Sequence, residues 1–265
     1  MLLYHYTSVE CLESIWRSKK LRFSPAKNTN DFFERFKTFV LTQDTFMCDG
    51  HPLDREQFDN FDEKIREELN NYKQVSFSYD YNNGMKGYAS PMMWGQYAWR
   101  KNKVGTWQNG VCLAIDSEKI KEPAFKIYSS KIFYNSVIDT PRVENIDYTK
   151  KGAAALFVER NIHAYFFIKH KHWEHENEYR YICKHEVELD ISEAIISIYT
   201  LWDDYSPLEY IKSIVNNNSL IRLVSLSDFR VQEEEPYSLK EIDDLQEAMK
   251  TYNLSHKDIC VSSDL

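Results

Sequence analysis

The chain has 265 residues, 43% hydrophobic and 28% charged, the balance of a globular protein with enough length for a sizeable core. A net charge of -8 excludes phosphate neutralisation as the design of the whole surface, and leaves room only for a local basic groove. No stretch approaches the roughly 18 consecutive apolar residues of a membrane-crossing helix, so no membrane partner is expected. Seven Gly and seven Pro argue against repeats and long linkers, which points to a single domain over 1–265. The five cysteines (Cys11, Cys48, Cys112, Cys183, Cys260) are odd in number, dispersed and without C-x-x-C spacing. They read as reduced thiols of a cytoplasmic protein. The opening Met1-Leu-Leu-Tyr-His-Tyr-Thr carries no basic segment ahead of an apolar run, so a signal peptide is not expected.

Leu2 to Tyr6 reads as a strand. Thr7 and Ser8 follow as helix-cap residues, with Glu10 in capping-box register to Thr7. Val9, Leu12, Ile15 and Trp16 then share a helical face, and Leu21–Ser24 is a second short strand. Asn28 to Glu34 reads as a loop entering a helix. A long amphipathic helix is predicted over Asp54–Tyr72, from Phe58, Phe61, Ile65, Leu69 and Tyr72 at spacings of three and four. A strand over Gln74–Tyr79, a polar loop to Gly87 and a helix over Ser90–Trp99 come next. Asn109-Gly110 turns into the buried strand Val111–Ile115. One or two strands lie within Phe125–Tyr134, a helix spans Ala153–Phe167, and a strand runs from Glu178 to Lys184. A helix starts at Ser206-Pro207, a strand covers Ile221–Leu226, and Ser238–Tyr252 closes as a helix with a Ser238/Glu241 capping box. Short strands mixed irregularly with helices give an α+β class. There is no glycine-rich phosphate loop.

Four clusters hold the residues suited to chemistry: Tyr4-His5-Tyr6-Thr7-Ser8; Asn30-Asp31-Phe32-Phe33-Glu34; Trp94-Gly-Gln-Tyr97 followed by Gly110-Val-Cys-Leu-Ala-Ile-Asp116; and Lys169-x-x-x-Trp173-x-x-Glu176-Asn-Glu178-Tyr-Arg180. In this order and spacing, from Tyr4 to about Phe229, they resemble a widespread bacterial family, domain-of-unknown-function family 2971. The sequence departs from that pattern at Phe32, where the family usually has Pro, and at Gln96, where His is common. More distantly, a strand ending in His-x-Thr-Ser and leading into a helix and a strand resembles the opening of ADP-ribosyltransferase folds. Glu176-Asn-Glu178 is similar to their E-x-E element.

That second resemblance implies two small, mainly antiparallel sheets around a cleft, with flanking helices and NAD as the substrate. It implies His5 on a ribose hydroxyl, Tyr97 on the nicotinamide ring and Glu178 as the catalytic carboxylate, with Glu176 beside it. Tyr6, Thr7, Ser8, Asn30, Asp31, Trp94 and Arg180 are the further residues expected at the nucleotide. His5 and Glu178 would hold two parts of one NAD. Tyr81, Tyr88 and Tyr134 compete with Tyr97 for the central position. The residue types suit the reaction, because cleaving the nicotinamide–ribose bond passes through an oxocarbenium-like state that a carboxylate stabilises. Glu176 and Glu178, two apart on a strand, are expected on one face, where mutual repulsion would raise one pKa. An aromatic face can attract the pyridinium charge.

Each residue also has a structural reading: His5 and Trp94 as core, Asn30-Asp31 as a turn and cap, Trp173 packed under the strand, and the glutamates with Arg180 as a surface ladder. His170, His172 and His175 invite a metal, since alternate strand positions share a face. No Cys lies close, however, and the third spacing breaks the alternation, so no metal is expected. Three functions follow. The first is ADP-ribosyl transfer to an unspecified macromolecular acceptor (protein or nucleic acid), or NAD glycohydrolysis. The second is a non-catalytic nucleotide- or partner-binding domain of the same fold, and the third a nuclease-type effector. A toxin or defence role would suit such a family by analogy alone.

Overall fold

The computed structural model describes residues 1–28, 40–41, 47–48, 51–52, 55–102, 105–136, 141–143, 150–203, 205–216, 218–224, 236–241, 243–244 and 247. Asn30, Asp31 and Glu34 lie outside the described residues, as does much of the expected Ser238–Tyr252 helix. The class is α+β, with several small sheets and helices. By its contacts the chain divides into two compact units. One comprises Met1–Lys20, Phe77–Lys121 and Asp190–Leu265; the other comprises Leu21–Ser76 and Glu122–Leu189. Neither is continuous in sequence, which explains why no linker is visible in the composition.

In the first unit the strand Leu2–Thr7 lies between Val111–Asp116 and the Phe77–Tyr79 end of a longer strand, antiparallel to both. Ile195–Leu201 pairs antiparallel on the far side of Val111–Asp116. Ile221–Val224 follows in parallel, because the connection from Leu201 crosses over through the helix Leu208–Ile214. Val111 to Ile115 are all buried, as expected of a strand covered on both faces. The first helix, Val9–Ser18, buries Val9, Leu12 and Ile15. Its cap is Ser8, which accepts from the Cys11 N–H at 3.3 Å. The Thr7/Glu10 capping box does not form, because Thr7 is paired with Val111 as the last residue of the strand.

The expected Ser90–Trp99 helix is also altered. Ser90 does cap it, accepting from the Met93 N–H, but only Pro91–Met93 is α-helical. Trp94–Ala98 then forms a wider π turn closed by Trp99 N–H to Trp94 carbonyl at 2.9 Å. The wide turn keeps Trp94 buried edge-on to Tyr6, while the Ala98 carbonyl comes close over Gly110. Near the C-terminus the Ser238/Glu241 capping box forms as the sequence predicts, with the Ser238 N–H and hydroxyl both donating to Glu241 Oε2 at 2.6 Å.

In the second unit the helix Arg55–Asn70 buries Phe61, Ile65 and Leu69 against Ala153–Arg160, with Phe61 and Phe157 rings 6.0 Å apart. The predicted continuous Ala153–Phe167 helix breaks at Asn161, whose side chain donates to the Phe157 carbonyl at 2.9 Å; Ile162–Phe166 resumes beyond it. Glu178–Cys183 pairs antiparallel with Tyr128–Lys131 and lies next to the strand Lys73–Tyr79, whose residues up to Ser76 belong to this unit. Ile168–His170 pairs in parallel with Phe133–Asn135. The histidine-rich segment is not a strand: His170 ends one, and Lys171–Glu176 is a 3₁₀ helix. The strand alternation expected of His170 and His172 is therefore absent.

Two glycines of the first unit make a paired test of the packing. A Cβ on Gly110 would lie 2.1 Å from the Thr7 carbonyl oxygen and 2.8 Å from that of Ala98, and backbone cannot step aside. A Cβ on Gly95 would meet nothing within 4 Å. Gly110→Ala should therefore cost about 1–3 kcal/mol of unfolding free energy, the range of overpacking, and Gly95→Ala should not. Urea denaturation compares them; equal midpoints would contradict the packing described.

Candidate functional site: a buried charge cluster and an aromatic wall

The second unit gathers Lys169, Glu176, Glu178 and Arg180 into one cluster, each at most 4% exposed. Local backbone explains how two glutamates separated by one residue reach the same cation. Glu176 ends the 3₁₀ helix, Asn177 takes a left-handed conformation (φ 43°), and Glu178 opens the strand. Lys169 Nζ stands 2.6 Å from Glu176 Oε2 and 3.0 Å from Glu178 Oε2. It also lies 5.2 Å from the centre of the Trp173 ring. Arg180 binds Glu178 with a two-pronged fork, Nε to Oε1 at 2.7 Å and a terminal nitrogen to Oε2 at 2.9 Å. Its other terminal nitrogen donates to the Phe166 carbonyl at 2.8 Å. The Glu178 N–H donates to the Tyr134 hydroxyl at 2.9 Å.

These contacts set the charge state. Burial alone pushes the Glu178 carboxyl upward, but Arg180, Lys169 and a hydrogen bond from Ser76 outweigh it and hold the group well below the usual carboxylate range. Burial pushes the Tyr134 hydroxyl far up, and the neighbouring Glu178 charge adds to that. Glu178 is thus an ionised carboxylate beside a neutral phenol.

The first unit holds the other expected residues. Alternation along Leu2–Thr7 sends Tyr4 and Tyr6 to one face and His5 to the other. Tyr4 and Tyr6 join Tyr88, Met93, Trp94 and Tyr199 in a buried cluster against which Tyr97 packs partly buried. The Tyr6 hydroxyl donates to the Gly87 carbonyl at 2.6 Å, and the Trp94 indole N–H donates to the Tyr88 carbonyl at 2.8 Å. His5 packs with Phe77 of the neighbouring strand, ring centres 5.6 Å apart. Thr7 ends the strand and Ser8 caps the helix.

Residues 93–181 match the family model described as Protein of unknown function (DUF2971). The matched segment holds Trp94, Tyr97 and all four charged residues of the cluster, and it does not reach Tyr4–Ser8 or Asn30–Glu34. No curated protein and no solved structure matches the chain.

Several expectations change. Glu176 and Glu178 do not share a strand face; the left-handed turn at Asn177 brings them together instead. The Glu178–Arg180 pair is not a surface ladder but a buried fork. The expected rise in a glutamate pKa is reversed at Glu178, because two cations stand beside it. Trp94 is buried and hydrogen-bonded, and His5 is on the opposite face of its strand from the aromatic cluster. His5 belongs to the first unit and Glu178 to the second. Lys169 and Ser76 were outside the expected site, and Tyr134 stood only as a competitor for the central tyrosine. The visible signal for Lys169 was its place in the spaced motif; Ser76 had none, being a short polar residue in an unremarkable strand. Among the described residues no group of three or more His, Cys, Asp or Glu is placed to hold a metal ion, and no helix is long and apolar enough to cross a membrane.

The depressed Glu178 pKa fixes the sign of an acid effect. Its ion pairs stabilise the fold fully above the ordinary value of 4.5, and that stabilisation is lost as pH falls from there toward the lower folded value. Wild-type stability, measured by urea unfolding from neutral pH downward, should decline more steeply below that point than that of Glu178→Gln. Parallel curves would contradict the assignment. Arg180→Met should cost about 3–5 kcal/mol at neutral pH, since it strips the fork from a buried charge.

Proposed function

We propose that the chain acts on NAD in an ADP-ribosyltransferase-like fold, cleaving the nicotinamide–ribose bond and passing ADP-ribose to a macromolecular acceptor or to water. The observation that carries this reading is the ionised Glu178 carboxylate, gathered with Glu176 and the Trp173 ring about one cation, Lys169. Two carboxylates and a ring face are groups that favour a developing oxocarbenium charge and a pyridinium. A carboxylate held ionised suits electrostatic stabilisation and not proton donation, so Glu178 takes the former role. In the reaction the ribose–nitrogen bond breaks with its electron pair going to nicotinamide. An acceptor oxygen or nitrogen then supplies the pair for the new bond and loses its proton to solvent. Two local features support the fold reading: the first strand passes through a Ser8 cap into a helix and then a strand, and Glu178 opens its own strand after Glu176-Asn177.

A second reading, a domain that binds a nucleotide or partner without turnover, is favoured by a different observation. Two cations already neutralise the two carboxylates, and all four side chains are almost wholly buried. Mass spectrometry of NAD incubated with the protein and cell lysate separates the two. Under the first reading nicotinamide is released, and Glu178→Gln lowers turnover by about two to four orders of magnitude while NAD still binds. NAD bound and left intact by the wild type supports the second reading; no binding and no turnover contradicts the first and removes NAD as the ligand of the second.

A further inference from the structure

Residues 81–115 contain no Asp or Glu, although the whole chain carries 41, and they contain four cations: Lys86, Arg100, Lys101 and Lys103. Charge is therefore segregated along an otherwise acidic chain. Within that stretch the short strands Arg100–Lys101 and Trp107–Gln108 pair antiparallel, with Lys101 directly opposite Trp107. Alternation puts Trp99, Lys101 and Trp107 on the same face. The Trp99 and Trp107 rings are stacked, 5.5 Å between centres and 6° from parallel, and Tyr205 stands edge-on to Trp99 at 5.1 Å. Lys101 Nζ lies 5.5 Å from the centre of the Trp107 ring. Trp107 is 46% exposed and Tyr205 53%.

A stacked Trp pair holds two short strands together whether or not it is covered; here Trp107 is also 46% exposed, which leaves ring surface open to a ligand. Two neighbouring carboxylates are hydrogen-bonded by neutral protein donors, which orients them and leaves their charge in place. Asp203 accepts from the Asn109 amide at 2.7 and 2.8 Å and from the Tyr205 N–H at 2.9 Å, and Glu10 accepts from Gln108 at 3.3 Å.

We propose that Trp99, Lys101, Trp107 and Tyr205 form a docking face for single-stranded nucleic acid. An open ring accepts an unpaired base by stacking, and an adjacent ammonium meets the phosphate that follows it. A duplex offers phosphates but no free base face, because its bases are already stacked on one another. This face is carried by the first unit and does not depend on the action on NAD proposed above.

Fluorescence anisotropy with labelled oligo(dT) and oligo(U) of about 12 nucleotides, within the range of known single-strand sites, tests it without NAD present. A duplex of the same length serves as control. At low salt at least one single strand should bind and quench tryptophan fluorescence, more tightly than the duplex, and the DNA and RNA arms identify the source of the strand. Trp107→Ala should weaken binding on the order of tenfold, and Trp107→Phe should retain most of it. Lys101→Gln should reduce the salt dependence by about one counterion. Phe125→Ala, an exposed aromatic change in the second unit, should leave affinity unchanged. Thermal melts of each variant identify any that fails to fold, for which Trp107→Phe and Lys101→Gln stand in. Absence of binding by both single strands, equal affinity for the duplex, or wild-type affinity in well-folded Trp107→Ala would overturn the proposal.

Discussion

Taking a lysine, an arginine and two glutamates out of water costs several kcal/mol for each ion, and the cost is offset only if every charge finds partners in good geometry. In this chain that requirement organises the second unit around Lys169, Glu176, Glu178 and Arg180. The Arg180 fork fixes the start of its strand, and its third contact reaches the Phe166 carbonyl at the end of a helix. Lys169 ties in the strand Ile168–His170 and the end of the 3₁₀ helix together. Tyr134 closes the arrangement from the neighbouring Phe133–Asn135 strand. Helix, strands and 3₁₀ turn are thereby held to one geometry by charge, where apolar packing alone would tolerate alternatives. Buried ion pairs are weak sources of net stability, so specificity of this kind is the more natural use of the cluster.

The first unit follows a different principle, division of labour between the two faces of one strand. Tyr4 and Tyr6 face a cluster of rings whose polar ends are satisfied by backbone carbonyls, as at Gly87 and Tyr88. Close approach accompanies this: a Cβ on Gly87 would fall 2.2 Å from the Tyr4 ring. Burial raises the Tyr6 hydroxyl and the Cys112 thiol far above their ordinary values, so both remain neutral there. The aromatic excess in the composition thus includes a buried share in the core and an exposed share, at Trp107 and Tyr205, whose rings pack on Trp99 at the surface.

The two functional readings turn on one electrostatic question: whether Glu176 and Glu178 are available to a substrate's positive charge or are used up by the protein's own. Lys169 stands within reach of both carboxylates and near the Trp173 ring. If that ammonium is a permanent structural partner, the cluster is a frame. If it moves aside, the same carboxylates become a net-negative site.

Much of the local structure was legible in the sequence because local physics fixes it. The run Val111–Ile115 was apolar without interruption and became a strand buried on both faces; Phe61, Ile65 and Leu69 kept helical spacing and became a buried helix face; Ser238 and Glu241 formed their box. Spacing also singled out Glu176, Glu178 and Arg180, although it supplied the wrong reason for Glu176. What the sequence left open was decided by contacts between residues far apart in the chain. Pairing of Thr7 with Val111 moved the helix cap to Ser8. Burial of Trp94 against Tyr6 and the close approach at Gly110 accompanied the change from an α-helix to a wide turn. The sign of the Glu178 pKa shift depended on Lys169, Arg180 and Ser76 converging on it, since a charge responds to neighbours in space and not to neighbours in sequence. Periodicity reports which side of an element a residue occupies, but only the tertiary structure supplies what stands opposite.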